Sequence, residues 1–382
     1  MTPRTVVFFN QSLAYGGDDT ILIETILHWP DAADEKIVVL NAAHPGMDSY
    51  ARALAPHARI VILDEKTVEE GCSRGPFAFA GAVLRIRKFI RALAPDAILA
   101  SSGGYPPTSL LLRFLCAAAL ERVPRRLLAV HNYPPSNPGA LRGAYLRMIG
   151  RFTPQIVATL TSVSRDCANA ISVYSGAAVD TILNGISSRN DHGASEVKRR
   201  LLGVPDGALI GSIGNLESRK GFEYLVRAMP SLPGTRLVII GRETEPGHQR
   251  KLARLIEELG LGDRVVLKGF LADAGRFAEC FDLCVIPSVT HESFGLLTLD
   301  AMQYAKPVIA TRVGGLPEVV DSGVTGLIVQ PRDDQALAQA CARILGSRGE
   351  AREMGLQGRR RFEKFFSATR MAQDYCDRIG FR

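Results

Sequence analysis

The chain has 382 residues, 46% of them apolar and 22% charged, with a formal net charge of +7. This composition excludes a disordered chain and a small disulfide scaffold, and the length suits two ordinary domains, each with its own core. No apolar run reaches the roughly 18 residues of a membrane span without a charge or a proline. The N-terminus enters a strand directly, without the layout of a signal peptide. Seven scattered cysteines, an odd number, suit free thiols in a reducing compartment. Cys280 and Cys284 lack a His or Cys partner pair at zinc spacing and read as core thiols.

Charge is unevenly spread. Residues 1–80 carry six basic and eleven acidic side chains, whereas 81–151 carry eleven Arg and Lys against Asp96 and Glu121. Such a basic segment suits an anionic membrane surface, an acidic substrate or a solvated face. Nucleic acid is not expected, because aromatic interleaving is thin and no helix-turn-helix or zinc motif occurs.

Along the chain, apolar strands are predicted at 5–9, 36–40, 59–63, 97–100, 126–130, 156–160 and 181–183. Helices are predicted between them near 17–28, 46–55, 78–94, 107–121, 139–151 and 165–173. Asn184 and Gly185 end the alternation, and a polar linker follows near 185–200. A second series has strands at 208–213, 236–240, 264–268, 283–286, 307–310 and 326–329, with closing helices at 333–346 and 350–379. Alternation of this kind builds parallel doubly wound sheets. The expected architecture is α/β: an N-terminal Rossmann-like domain over 1–188, a second over 189–360, and a C-terminal helix over 361–382 that packs back on the first. A ligand is expected at the carboxyl ends of the strands, in a cleft between the domains.

Four loops follow strand ends. The first, from Asn10 to Asp19, carries Gly16 and Gly17 at a helix entrance, where backbone N–H groups can approach a phosphate or a sugar hydroxyl; a plain turn reads equally well. It is not the G-x-G-x-x-G of a dinucleotide site. The second is GNLESRKG at 214–221. Arg219 and Lys220 there suit a pyrophosphate, or a solvated turn, and the Walker A order is absent. The third places His131 after the fifth strand, able to hydrogen-bond a sugar hydroxyl or a phosphate. The fourth, PSVTHESFGLLTLDAM at 287–302, joins strand, loop and helix, with Gly314, Gly315 and Pro317 behind it. Its carboxylates Glu292 and Asp300 are eight residues apart, which along a helix is about 12 Å. A hydrolase pair needs about 5 to 9.5 Å.

In their order, G-G after the first strand, GNLxxxKG, PSxxxESFGLLxLDAM and PVIATxxGGxxE resemble the family 4 retaining glycosyltransferases of GT-B fold. The likeness runs from about residue 5 to 330 and is densest over 208–330. The resemblance implies a retaining hexosyltransferase, UDP-sugar favoured as donor, working in glycan, glycolipid or surface polysaccharide synthesis. It gives Glu292 the sugar hydroxyls, Asp300 the nucleotide ribose and the backbone of Phe294, Gly295 and Leu296 the diphosphate. Lys220 would neutralise that diphosphate, His131 would lie near the anomeric carbon, and Gly16 and Gly17 would close over the donor. Two positions depart from the family pattern. Asp300 stands where Glu is usual, and Asn215 stands where Arg is usual, leaving Arg219 to compensate.

No D-x-D triplet occurs, so turnover without a metal or other cofactor is expected. No side chain is an evident nucleophile; the resemblance points to front-face attack, while the residues alone leave double displacement open. The expected partners are the donor and a glycan, lipid-linked or small-molecule acceptor. The expected location is the cytoplasm, with peripheral membrane contact through 81–151. Competing readings are a nucleotide-dependent oxidoreductase or epimerase, and a non-catalytic nucleotide-sugar-binding subunit.

Overall fold

The computed structural model describes residues 3–10, 16–41, 44, 46–63, 76–189, 193, 195–204 and 206–381. The chain divides into two compact units, Met1–Ser187 with Ala368–Arg382, and Ser188–Ser367.

Among the described residues the first unit has seven parallel strands: β1 (Thr5–Asn10), β2 (Glu35–Asn41), β3 (Arg59–Leu63), β4 (Ala97–Ser102), β5 (Arg125–Val130), β6 (Thr159–Ser162) and β7 (Asp180–Thr181), ordered β3-β2-β1-β4-β5-β6-β7. Its helices are α1 (Gly17–Leu27), α2 (Met47–Leu54), α3 (Pro76–Leu93), α4 (Ser109–Leu120), α5 (Ala140–Phe152) and α6 (Arg165–Ser175). Successive β1 side chains serve both faces of the sheet. Phe9 stacks on Phe114 with centroids 4.0 Å apart, while Phe8 meets Trp29 edge-on at 5.2 Å. Burial on both faces is why the strands read as unbroken apolar runs.

The second unit begins with α7 (Ser195–Leu202), inside the stretch expected to be linker, of which 190–192 and 194 lie outside the described residues. Its strands are β8 (Ala208–Ile213), β9 (Thr235–Ile240), β10 (Val265–Leu267), β11 (Leu283–Ile286), β12 (Val308–Thr311) and β13 (Gly326–Val329), all parallel and ordered β10-β9-β8-β11-β12-β13. Its other helices are α8 (Phe222–Ala228), α9 (His248–Glu258), α10 (Leu296–Gln303), α11 (Leu316–Val319), α12 (Asp334–Gly346) and α13 (Arg348–Phe365). Ile210, Leu237, Ile239 and Val285 fill one face of the sheet, and Leu209, Val238, Ile240 and Cys284 the other.

The single helix expected over 350–379 is two. α13 stops before Phe366, which is fully buried against Phe294, and α14 (Ala368–Ile379) belongs to the first unit. There α14 packs on α1 and β5. The Ala368 N–H donates to the Ile186 carbonyl at 3.1 Å, and Met371, Ala372, Tyr375 and Cys376 are buried. The sixth strand also starts three residues late, because Ile156 and Val157 are buried in the turn that follows a short 3-10 segment, Thr153–Gln155. Among the described residues no helix is long and apolar enough to cross a membrane. Six cysteines are buried free thiols; Cys72 lies outside the described residues.

Candidate functional site

In the second unit the strand order turns back between β8 and β11, the position where doubly wound sheets bind ligands beyond their strand ends. The loop after β8 supplies Arg219 and Lys220, and the loop after β11 supplies Ser288 and Glu292. Two backbone features hold the loops together. The Val289 N–H donates to the Arg219 carbonyl at 2.8 Å. Gly221, with φ of 66°, lies so close to Pro287 that a Cβ would sit 2.2 Å from the Pro287 carbonyl oxygen.

Glu292 is 7% exposed, and three groups converge on its Oε2. Lys220 Nζ donates to Oε2 at 2.5 Å, Ser288 Oγ donates to the same oxygen at 3.0 Å, and Arg219 Nη1 stands at 3.6 Å. Burial by itself would raise the Glu292 pKa; Lys220, Arg219 and the two hydrogen bonds outweigh it and hold the carboxyl below its ordinary value. The group is a carboxylate at neutral pH. Ser288, itself fully buried, was not singled out in the sequence, where a serine in a polar loop carries no distinctive signal. Arg219 also reaches the His291 carbonyl at 3.2 Å and Glu217 at 2.8 Å, so its charge serves this loop pair. Asn215, half-buried, follows Gly214 at the end of β8.

Glu292 precedes the helix that follows it. α10 starts only at Leu296, capped by Gly295 at φ of 84°, so a helical rise does not measure the distance from Glu292 to Asp300. The Glu292 carbonyl instead accepts from the Gly315 N–H at 2.9 Å, which ties the loop to the glycine turn after β12. Phe294 is buried, and Leu296 is half-buried at the first turn. Thr298 is fully buried two residues on, and its hydroxyl has no partner among the described residues.

Asp300 faces a different set of groups. Gln303 Nε2 donates to its Oδ1 at 3.2 Å, and Arg189 Nη2 stands 3.7 Å from the same atom. Arg189 is also paired with Asp273 at 2.6 Å, and its backbone N–H donates to Gln303 Oε1 at 2.9 Å. The Asp300 carboxylate lies flat on Gly275, where a Cβ would come within 2.3 to 2.5 Å of its three terminal atoms. Arg189, Asp273 and Gly275 are distant in sequence and were not legible there.

In the first unit the strand order turns back between β1 and β4. Of the loop after β1, residues 11–15 lie outside the described residues. Gly16, in extended backbone, caps α1, and Gly17 begins it. The Gly16 N–H is taken by Asp19 Oδ2 at 2.8 Å. With Asp18 and Asp19 both in the first turn, this helix entrance suits a hydroxyl better than a phosphate. Asp19 is fully buried and accepts at Oδ1 from Asn10 Nδ2 at 2.8 Å and from the Tyr50 hydroxyl at 3.1 Å. His44 Nδ1 accepts from the Gly46 N–H at 3.1 Å, and its Nε2 lies 3.1 Å from Asp19 Oδ1. Asp18 is pushed up to about 6 by burial and by the charge of Asp19; its Oδ2 has no partner among the described residues. His131 follows β5, and its N–H donates to the Ser102 carbonyl at 2.9 Å. Burial pushes its pKa down to about 4, against a smaller pull from Asp19, so the ring is neutral at pH 7.

The basic segment is not one face. Arg87 and Arg91 pair with Glu121, Arg113 is buried under Phe79, Arg125 lies over Phe381, and Arg126 reaches the Val123 and Ile156 carbonyls. On α5, by contrast, Arg142, Arg147 and Arg151 are all exposed.

Residues 207–347 match the family model of the glycosyl transferases group 1. An uncharacterized glycosyltransferase of Methanocaldococcus jannaschii is 37% identical over 158 residues, 40% of this chain and 39% of its own length. The D-inositol 3-phosphate glycosyltransferase of Mycolicibacterium smegmatis is 34% identical over 161 residues, 40% of this chain and 36% of its own. Each match thus spans less than half of the relative. Solved structures align over nearly the whole chain. HepE from Anabaena, crystallised in complex with UDP and glucose, has a TM-score of 0.82 at 22% identity, covering 99% of this chain and 100% of that one. Sucrose-phosphate synthase from Thermosynechococcus elongatus has a TM-score of 0.77 at 22% identity, covering 98% of each chain. At such identity the likeness carries the fold. The chain therefore has the two-domain GT-B fold, and its residues 207–347 match the model of the glycosyl transferases group 1 family.

Proposed function

We propose that this protein transfers a sugar from a nucleoside diphosphate sugar, UDP-linked by preference, to an acceptor hydroxyl with retention at the anomeric carbon. The observation that carries the reading is the part-buried Lys220–Glu292 pair at the switch point of the second unit, inside the segment that matches the family. Lys220 and Arg219 are cations held where charge would build on a leaving diphosphate. The start of α10, with the backbone of Phe294, Gly295 and Leu296 and the unpartnered Thr298 hydroxyl, adds donors. Glu292, kept ionised, is suited to accept from sugar hydroxyls. His131, kept neutral, can donate or accept one hydrogen bond near the anomeric carbon, and Asp300 takes the ribose. The UDP bound by HepE supports the base preference. In this proposal the leaving phosphate removes the acceptor proton, and no metal is needed, as the missing D-x-D triplet suggests. The acceptor is a glycan, a lipid-linked sugar or a small molecule, reached in the cytoplasm with peripheral contact to a membrane.

The test is a panel of nucleotide sugars read first by thermal shift, then by turnover. A ligand at 100 times its Kd adds about 2.7 kcal/mol of stability. Glu292→Ala and Lys220→Ala are each expected to lose at least about a hundredfold in kcat/KM, about 2.7 kcal/mol, and still fold. Normal turnover in either variant would refute the site. A protein that binds the donor and never turns over would be a non-catalytic subunit, and loss of turnover in EDTA restored by Mg²⁺ would refute metal independence.

A further inference from the structure

α5 is packed on the protein by a narrow face and turns its most apolar face outward. Gly143, Ile149 and Gly150 are buried, and Gly150 lies against the Tyr174 ring of α6. On the opposite side Leu141 is 90% exposed, Met148 62%, Tyr145 58% and Phe152 41%. These four are spaced four, three and four residues apart, which at about 3.6 residues per turn forms one continuous stripe along the helix. Arg142 borders the stripe on one side, and Arg147 and Arg151 on the other, all exposed; α5 has no acidic residue.

An apolar stripe facing water is a cost unless something covers it. The flanking charge says what does. A second copy of the chain meeting this face by two-fold symmetry would set arginine against arginine. An anionic bilayer offers the opposite sign to both flanks and hydrocarbon to the stripe, the arrangement of helices that lie in a membrane interface. We propose that α5 is a membrane-docking helix that inserts Leu141, Tyr145, Met148 and Phe152 into the interface of an anionic bilayer, with Arg142, Arg147 and Arg151 on lipid headgroups. This narrows the proposed membrane contact from the whole basic segment to one helix face, and it does not depend on the nature of the sugar donor.

The test is co-sedimentation of the full-length protein with vesicles of phosphatidylcholine alone or mixed with equal phosphatidylglycerol. Binding is expected only to the anionic vesicles and should weaken as salt rises. Leu141→Ser with Met148→Ser should weaken it about tenfold or more. Arg142→Gln, Arg147→Gln and Arg151→Gln together should weaken it about tenfold to a hundredfold at low salt. Because all five side chains are exposed, thermal midpoints and circular dichroism should match the parent. A parent protein indifferent to anionic vesicles would overturn both the helix and the broader membrane contact. Full binding by both variants would overturn the helix alone. A dimer in sedimentation equilibrium that the Leu141/Met148 variant breaks would identify a second copy as the occupant.

Discussion

Glu292 and His131 are both unprotonated at neutral pH, for different reasons. Glu292 is buried beside cations that win against burial; His131 is half-buried, and the single carboxylate that pulls on it, Asp19, does not offset its desolvation. Asp18 is the third case, with burial and a like charge acting together. The consequences for stability have opposite signs. Folded His131 refuses, down to about 4, a proton that the unfolded chain accepts from 6.5, so its contribution is lost as pH falls through that window. Folded Asp18 keeps, up to about 6, a proton that the unfolded chain releases from 3.8, so its contribution is lost as pH rises. In the parent protein the two partly cancel. His131→Gln should therefore grow more stable relative to the parent as pH falls from 6.5 to about 4, and Asp18→Asn less stable, each by about 1–3 kcal/mol. The one tryptophan, Trp29, is buried in the first unit against Phe8, so its fluorescence in urea titrations reports that unit. Identical pH profiles in the two variants would refute the assignment. At this scale the sequence was informative where chemistry is written in residue type, as at Glu292 and Lys220. It was silent on Ser288, Asp19 and Arg189, whose roles come from what the fold sets beside them.

Strands and helices were legible where their side chains are uniformly apolar, since burial on both faces leaves little to misread. α7 shows where that fails. Its buried residues are Lys198 and Leu202, and Lys198 is paired with Glu279 at 2.6 Å. A buried lysine looks like a solvated one in sequence, so the stretch has the pattern of a linker. The 350–379 pattern likewise kept its periodicity across a break that Phe366 makes only because Phe294 is there to receive it. α10 is held over its C-terminal half by such long-range contacts: Arg359 reaches the Gln303 carbonyl at the end, and Asp300 rests on Gly275. Gly275→Ala should push the carboxylate off its place. On the proposed donor reading this raises the donor KM about tenfold with kcat largely kept, and costs about 1–3 kcal/mol of stability. A variant with the parent KM would show that Asp300 does not bind the donor.

The second unit is continuous in sequence, whereas the first is closed by residues from both ends of the chain. Arg4 lies over the Phe381 ring at 4.0 Å and pairs with Asp34, which also accepts from Trp29 Nε1 at 3.0 Å. The fragment 188–367 is expected to unfold cooperatively by itself. The fragment 1–187 is expected to show red-shifted Trp29 emission that a 368–382 peptide restores. A native-like spectrum from 1–187 alone would refute that dependence. Closure by α14 also sets an order of events in the cell. The unit begun first is finished last: its sheet waits while 188–367 is made, about 10–40 s at roughly 5–20 residues per second. Through that interval the nascent chain presents the α1 surface that α14 later covers, and so exposes it to chaperones or to misassociation before any donor can be used.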